Sequence, residues 1–159
     1  MADRIPMTRG GYARLQDELR RMKSQERPAI VREIEAARAH GDLSENAEFH
    51  AAKERQGQIE SRIAQIEDRL ARAQVIETRG QAGDSVRFGA TVVLVDVETD
   101  EEVTYTLVGE DEADVRQGLI SVTSPVARAL LGKGIDDAVL VRVPKGTRQL
   151  EIRDIRFEP

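Results

Sequence analysis

Apolar residues in the first half of the chain recur at spacings of three and four. Tyr12, Leu15, Leu19 and Met22 form one stripe, which resumes as Ile30, Ile34 and Ala37 with Glu26 at the intervening position. That period places the apolar side chains on one face of a helix. Thr8 can cap this helix where it starts near Arg9, although Gly10 and Gly11 weaken its first turn and no Glu or Gln stands at the capping-box position. Pro28 removes a backbone donor away from the stripe, on the solvent side, so the pattern predicts a kink or short break at Glu26–Arg27. A second and cleaner stripe runs through Phe49, Ala52, Gln56, Ile59, Ile63, Ile66, Leu70 and Ala73, with Gln56 as its one polar member.

The clear break between the stripes is Ala39-His40-Gly41-Asp42-Leu43-Ser44-Glu45-Asn46. Gly41 supplies a left-handed exit from the first helix, and Asp42 and Ser44 are both N-cap candidates for the second. Two helices joined by so few residues lie antiparallel, each burying the other's stripe. At 1.5 Å per residue, about 32 residues make a rod on the order of 48 Å long. Such a rod can serve oligomerisation, or carry a group at its tip into a deep, narrow place.

After Val75-Ile76 the period changes. Gly80-Gln81-Ala82-Gly83-Asp84-Ser85 reads as a linker or turn, and alternating runs follow at 91–97, 103–108, 119–123, 138–143 and 150–157. Between the third and fourth of these, Ser124-Pro125 gives an N-cap followed by proline at the first helical position, then an apolar run to Leu131 and a terminating Gly132. The fold class is therefore α+β: an antiparallel helical hairpin followed by a compact domain with an antiparallel sheet. The acidic segments around Asp100-Glu101-Glu102 and Glu110-Asp111-Glu112 read as solvated turns.

Composition narrows the functions open to this fold. Aromatics make up only 3% and there is no Trp, so a large aromatic pocket or a base-stacking platform has few candidate residues. The net charge of -5 falls wholly in the second half, because residues 1–78 carry 14 basic and 14 acidic side chains. A dominant phosphate-tracking surface is thus not expected. The absence of cysteine excludes disulfides, Cys-type zinc sites and thiol chemistry. The opening residues lack the apolar run of a signal peptide and no window approaches a membrane span, so a cytoplasmic protein that does not engage membranes is expected.

Candidate chemistry gathers at the break, where Asp42, Glu45 and Glu48 lie within seven residues. Asp42-x-x-Glu45 has the spacing of a capping box. The same spacing lets two carboxylates converge at a helix start, whose positive end favours their ionised forms. Two such carboxylates suit a Mg²⁺ that takes the rest of its shell from water and phosphate, and a metal so held can activate water in phosphoryl transfer. An exposed turn has no walls, so a partner must complete any such site. His40 and His50 flank the turn without a compact His-x-x-x-His spacing, and are more simply polar helix-end residues.

The stretch Gly41-Asp42-Leu43-Ser44-Glu45-Asn46-Ala47-Glu48-Phe49-His50-Ala51-Ala52-Lys53-Glu54, preceded by Arg27-Pro28 and Ile34-Glu35-Ala36-Ala37-Arg38, closely resembles the tip of the bacterial Gre transcript-cleavage factors. The likeness continues through Ala73-Gln74-Val75-Ile76, Phe88-Gly89-Ala90-Thr91-Val92, Asp111-Glu112-Ala113-Asp114 and 120–128, in the same order along nearly the whole chain. The resemblance implies an N-terminal coiled-coil hairpin over 1–77 with its tip at 40–46, a linker at 78–83, and a C-terminal FKBP-like domain over 84–159. It implies that the globular domain docks at the rim of the secondary channel of RNA polymerase through the segment containing Ser124 and Pro125. The hairpin would enter that channel as part of a monomeric factor. Asp42 and Glu45, with Asn46 in support, would help hold a Mg²⁺ of the polymerase active centre, and the 3′ end of backtracked nascent RNA would be cut there. On this reading the chain is not itself an enzyme and binds no cofactor stably alone.

Position 44 is Ser where relatives can carry Lys or Arg. The neutral hairpin also lacks the dense basic block of some family members, which suggests short cleavage products after shallow backtracking. Three other functions compete. A Gre-like channel blocker would share hairpin and docking domain but inhibit synthesis. An FKBP-type prolyl isomerase would need an aromatic-rich pocket, for which the second half offers only Phe88, Tyr105 and Phe157. A plain coiled-coil scaffold would need only the stripes.

Overall fold

A computed structural model describes residues 3–41, 46–144 and 146–158. Spatial contacts divide the chain into two units, one of Met1–Asp3 with Tyr12–Ala73 and the other of Arg4–Gly11 with Gln74–Pro159.

The first unit is helical. Helix α1 (Arg9–Arg21, its first residues belonging to the other unit) leads through a wide turn at Met22–Glu26 into α2 (Arg27–Arg38), and α3 (Ala47–Arg72) returns. The sequence led us to expect a kink or break at Glu26–Arg27, and the helix instead continues through a single π-helical segment just before it. There the Arg27 amide donates to the carbonyl of Met22, five residues back. Pro28, in the first turn of α2, cannot donate to Ser24 and its ring would strike that carbonyl, and the widened turn accommodates both effects. The wide turn also repairs the stripe. Met22 and Ile30 are eight residues apart, too many for two α-turns of 3.6, yet both are buried while Glu26 is exposed. One extra residue per turn explains why a hydrophobe is missing at position 26.

Ile30, Ile34 and Ala52 form one buried cluster with Phe49 and Ile59 against it, and Leu15, Met22, Ile63 and Ile66 are buried further along. Charged pairs run along the seam in antiparallel order. Lys23 meets Glu67 at 3.1 Å, Arg27 grips Glu60 with two bonds of 2.8 and 2.9 Å, and Arg55 pairs with Glu33. Arg62 adds a forked pair to Glu18 at 2.7 and 2.9 Å, which holds the Glu18 carboxyl below its ordinary range.

In the second unit, β3 (Thr91–Asp96), β4 (Glu102–Val108), β5 (Leu119–Ser121), β6 (Ala138–Val143) and β7 (Gly146–Arg156) form a sheet in the order β5-β4-β3-β7-β6. Three junctions are antiparallel as expected, but β4 and β5 pair in parallel. Two short 3₁₀ turns, Glu110–Glu112 and Val115–Gln117, carry the chain around for that pairing. The central β3 alternates strictly, with Val92 and Leu94 fully buried, and helix α4 (Pro125–Leu130) places Ala127 and Leu130 in the same core. Tyr105 and Phe157 pack against this core, and the Arg87 guanidinium lies 5.4 Å from the Phe157 ring centre.

The periodicity reading missed β1 (Ile5–Met7) and β2 (Ala73–Val75), which form a two-stranded sheet. Ala73, the last residue of the second stripe, therefore begins a strand. Residues 78–83 join the globular unit: Thr78 is buried, and the Gly80 amide donates to the Glu158 carbonyl at 2.6 Å.

Glu112 corrects a further expectation. It does not lie in a solvated turn but is buried, accepting from the amides of Thr8 (3.0 Å) and Gly109 (3.2 Å) and from the Thr8 hydroxyl. Thr8 in turn accepts from the Gly11 amide at 3.0 Å. This is a capping box whose acid comes from 104 residues away. Gly11 occupies the position where a local Glu would stand, and the Glu112 side chain fills the space a Cβ there would need.

Candidate functional site

The turn that carries the candidate carboxylates lies between the C-terminus of α2 and the N-terminus of α3. Helix α2 ends with the amides of His40 and Gly41 donating to Ala37 and Arg38, 3.2 and 3.3 Å, and Gly41 takes the expected positive φ of 103°. Only glycine enters that conformation without a Cβ penalty. Helix α3 starts at Ala47, and its N-cap is Asn46, whose side-chain oxygen accepts from the Phe49 amide at 3.0 Å. The N-caps expected at Asp42 and Ser44 are thus replaced by Asn46. The signal was present, since Asn is among the strongest N-cap residues, but Asp and Ser are of nearly equal rank and stand closer to Gly41. Asp42, Leu43, Ser44 and Glu45 lie outside the described residues, and with them the expected capping box and the candidate catalytic pair.

Asn46 does more than cap. Its Nδ2 donates to the carbonyl of Ala37 at 2.6 Å, so one side chain bonds the last turn of α2 and the first turn of α3. Glu48 lies in the first turn of α3, where the helix dipole favours a negative charge. His40 Nδ1 faces it at 3.4 Å, with both side chains exposed. His50 instead meets the Phe49 ring edge-on, 5.6 Å between centres. The two histidines therefore have different neighbours, and among the described residues no group of three or more His, Asp or Glu is placed to hold a metal ion.

At the other candidate surface, Ser124 caps α4 by accepting from the Ala127 amide at 3.3 Å, and Pro125 opens the helix with its ring exposed. The local cap is as the sequence suggested, and Pro125 and Arg128 remain accessible beside it. Among the described residues, no helix is long and apolar enough to cross a membrane.

Comparison with known proteins follows the same two parts. Residues 5–75 match the family model described as "Transcription elongation factor, N-terminal", and residues 81–157 match "Transcription elongation factor, GreA/GreB, C-term". The chain belongs to the GreA/GreB family of transcription elongation factors. A relative named Transcription elongation factor GreA from Anaeromyxobacter sp. (strain K) is 61% identical over 97% of this chain and 93% of its own length. One of the same name from Hyphomonas neptunium is 59% identical over 98% and 99%. Among solved structures, GreA factor homolog 1 of Thermus thermophilus is 29% identical, covering 96% of this chain and 99% of that one with a TM-score of 0.44. By the two family models, the hairpin and the globular domain of this GreA/GreB-family chain each have a family counterpart, in the order the sequence implied.

Proposed function

We propose that this elongation factor stimulates RNA polymerase to cleave the 3′ end of backtracked RNA, and that Asp42 and Glu45 at the hairpin tip supply the acidic groups required. The observation that carries this reading is the match of both family models along the chain, together with the sequence Gly41-Asp42-Leu43-Ser44-Glu45-Asn46 between the two long helices. The globular domain docks on the rim of the secondary channel through the segment of Ser124 and Pro125, and the hairpin reaches in. The factor works as a monomer in the cytoplasm, where the polymerase is.

The donor set fits a hard divalent cation. Two carboxylates and no thiol favour Mg²⁺ over softer metals, and the N-terminus of α3, capped at Asn46, adds a positive end that favours ionised acids just before it. Asp42 and Glu45 would contribute oxygen ligands, with the remaining ligands coming from the polymerase, RNA and water. When bound, Mg²⁺ supplies Lewis acidity and a more acidic coordinated water. The chain's own task is to deliver negative charge to a place it can reach only when docked, so it acts as an accessory factor with no active site of its own.

Adding the protein to a stalled, backtracked polymerase complex and resolving the RNA on a gel tests this. Release of short 3′ fragments followed by renewed elongation is the expected result. Slowed synthesis with no shortened RNA would instead identify a channel blocker and overturn the proposal.

A further inference from the structure

We propose that the outer edge of β6 pairs with the same edge of a second copy of this chain, joining two sheets across a two-fold axis at Leu140. The pairing belongs to the free protein and does not rest on the reading of the tip given above; the monomer proposed there is the polymerase-bound form. In the order β5-β4-β3-β7-β6 the sheet has two outer strands. β5 has three residues and β6 has six, Ala138–Val143, and among the described residues no segment pairs with the outer edge of β6. The Ile152 amide donates to the Asp137 carbonyl at 2.9 Å, so by the antiparallel alternation residues 137, 139 and 141 bond to β7. The N–H and C=O groups of Ala138, Leu140 and Arg142 therefore point toward the free edge.

Edge strands of soluble proteins are ordinarily kept short, bulged, or guarded by charge or proline along their length. β6 carries no charge or proline from Ala138 to Val141, and its register with β7 is unbroken. Leu140 is 68% exposed, the most of any large apolar side chain on the described strands. The one charge on the strand, Arg142, is exposed and makes no ion pair among the described residues. An exposed acidic pair, Asp136-Asp137, stands just before the opposite end. An antiparallel second copy brings each unspent cation to the other's acids, a complementarity that an unrelated strand has no reason to share.

The register follows from the two faces. Val139 and Val141 are buried in the core, so pairing must keep them on that face and Ala138, Leu140 and Arg142 on the other. Centred on Leu140, the two copies set Leu140 against Leu140, Ala138 against Arg142, and Val139 against Val141. Every residue whose backbone faces outward then meets another such residue, and each of these pairs exchanges two N–H···O bonds. Moving the centre one residue back brings in Asp136, whose φ of 74° is not extended. Moving it one residue forward sets Ala138 against Pro144, which has no amide hydrogen. A two-fold contact closes on itself, so association stops at two copies.

One strand pair buries less than the ~1,200 Å² of a standard interface, so the dimer should be weak, with a Kd on the order of 0.1–1 mM. Sedimentation equilibrium of the full-length protein from about 10 μM to about 1 mM, a range that brackets this Kd, should show the mass rising from one chain toward two. Leu140→Lys changes an exposed side chain, so it should keep the wild-type melting temperature and remain monomeric throughout. Arg142→Glu should weaken the dimer roughly three- to tenfold, because the repulsion counts twice across the axis. The chain has no cysteine, so single introduced cysteines read the register. Cα atoms of a hydrogen-bonded pair lie about 5.5 Å apart, within disulfide reach. Two copies of position 138 would instead stand about 14 Å apart. Leu140→Cys should therefore oxidise to a covalent dimer roughly tenfold faster than Ala138→Cys, since only its thiols are held at high effective concentration. A mixture of A138C and Arg142→Cys proteins should cross-link to each other.

A single-chain mass persisting to about 1 mM would overturn the pairing and leave this edge to solvent or to a strand of another protein. Equal cross-linking of L140C and A138C would overturn it as well, since random collision gives that result. So would an L140K protein that still dimerises, or an R142E dimer as tight as wild type.

Discussion

Replacing Gly11 by alanine tests the long-range capping box, because helix propensity and tertiary packing give opposite signs. Gly11 lies in the first turn of α1, where propensity alone credits alanine with about 1 kcal/mol. The new Cβ, however, would stand 2.5 Å from Glu112 Cγ and 2.6 Å from its Oε1. The side chain of Glu112 must then leave its position, and the half-buried amide of Thr8 and the buried amide of Gly109 lose their acceptor. At roughly 1–2 kcal/mol for each stranded donor, the loss is about 3 kcal/mol. The net effect of Gly11→Ala is a destabilisation of about 2 kcal/mol, a melting temperature lower by roughly 4–8 °C for a chain of this size. Calorimetric unfolding of wild type, G11A, E112A and the double variant measures it as a cycle. The E112A background removes the three atoms nearest that Cβ, so G11A should there be neutral or stabilising. A G11A protein more stable than wild type, or one equally destabilised in both backgrounds, would refute the assignment of Glu112 as the partner that excludes a side chain at position 11.

Two further predictions address the rest of the chain. Asp96 accepts from Arg148 Nε at 2.8 Å and from the amides of Glu98 and Thr99, and the Arg148 bond is the main cause of a carboxyl held below its usual range. A lowered folded value means stability that is present above the unfolded range, near pH 4 for a carboxylate, and lost as pH falls through the folded value. Asp96→Asn should therefore lower the melting temperature at pH 7 and flatten its decline below about pH 4; an unchanged acid limb would show that the pair does not contribute. In the helical unit, deleting Ser24 together with Pro28→Ala should let α1 and α2 run as one α-helix with Met22 and Ile30 seven residues apart, in register with α3. Circular dichroism should show a hairpin at least as stable as wild type, whereas the same deletion at Arg32 should unfold it. Equal damage at both places would mean that the wide turn is not a one-residue insertion.

Sequence pattern recovers most elements here because the chain rarely contradicts its own periods. The seam of α3 and the alternation of β3 survive in the structure since burial on one face is what selects each period. The misses share a physical cause, a partner distant in sequence or a local geometry outside the two common periods. Glu112 looks like one more acid in an acidic turn until Thr8 is placed beside it, and the weak first turn of α1 looks like a defect until Glu112 fills the space over Gly11. Glu26 looks like a flaw in the stripe, because a spacing of eight between Met22 and Ile30 fits neither a straight α-helix nor a break, only a π-turn. At the tip, the chain order alone located the turn and the residue types, while the actual cap at Asn46 depended on where Ala37 lies. The docking role proposed for Pro125 rests on family resemblance alone, since its local role as a helix start is complete without any partner.

That two tip acids act in the active centre of another protein is the central claim, and one rate comparison tests it most directly. A backtracked polymerase complex is saturated with wild type or with the Asp42→Asn, Glu45→Gln double variant, and the appearance of the short 3′ RNA fragment is timed over a Mg²⁺ series. The double variant is expected to displace wild type from polymerase yet leave cleavage at the intrinsic rate at every Mg²⁺ concentration. Cleavage by the double variant at the wild-type rate would contradict the claim.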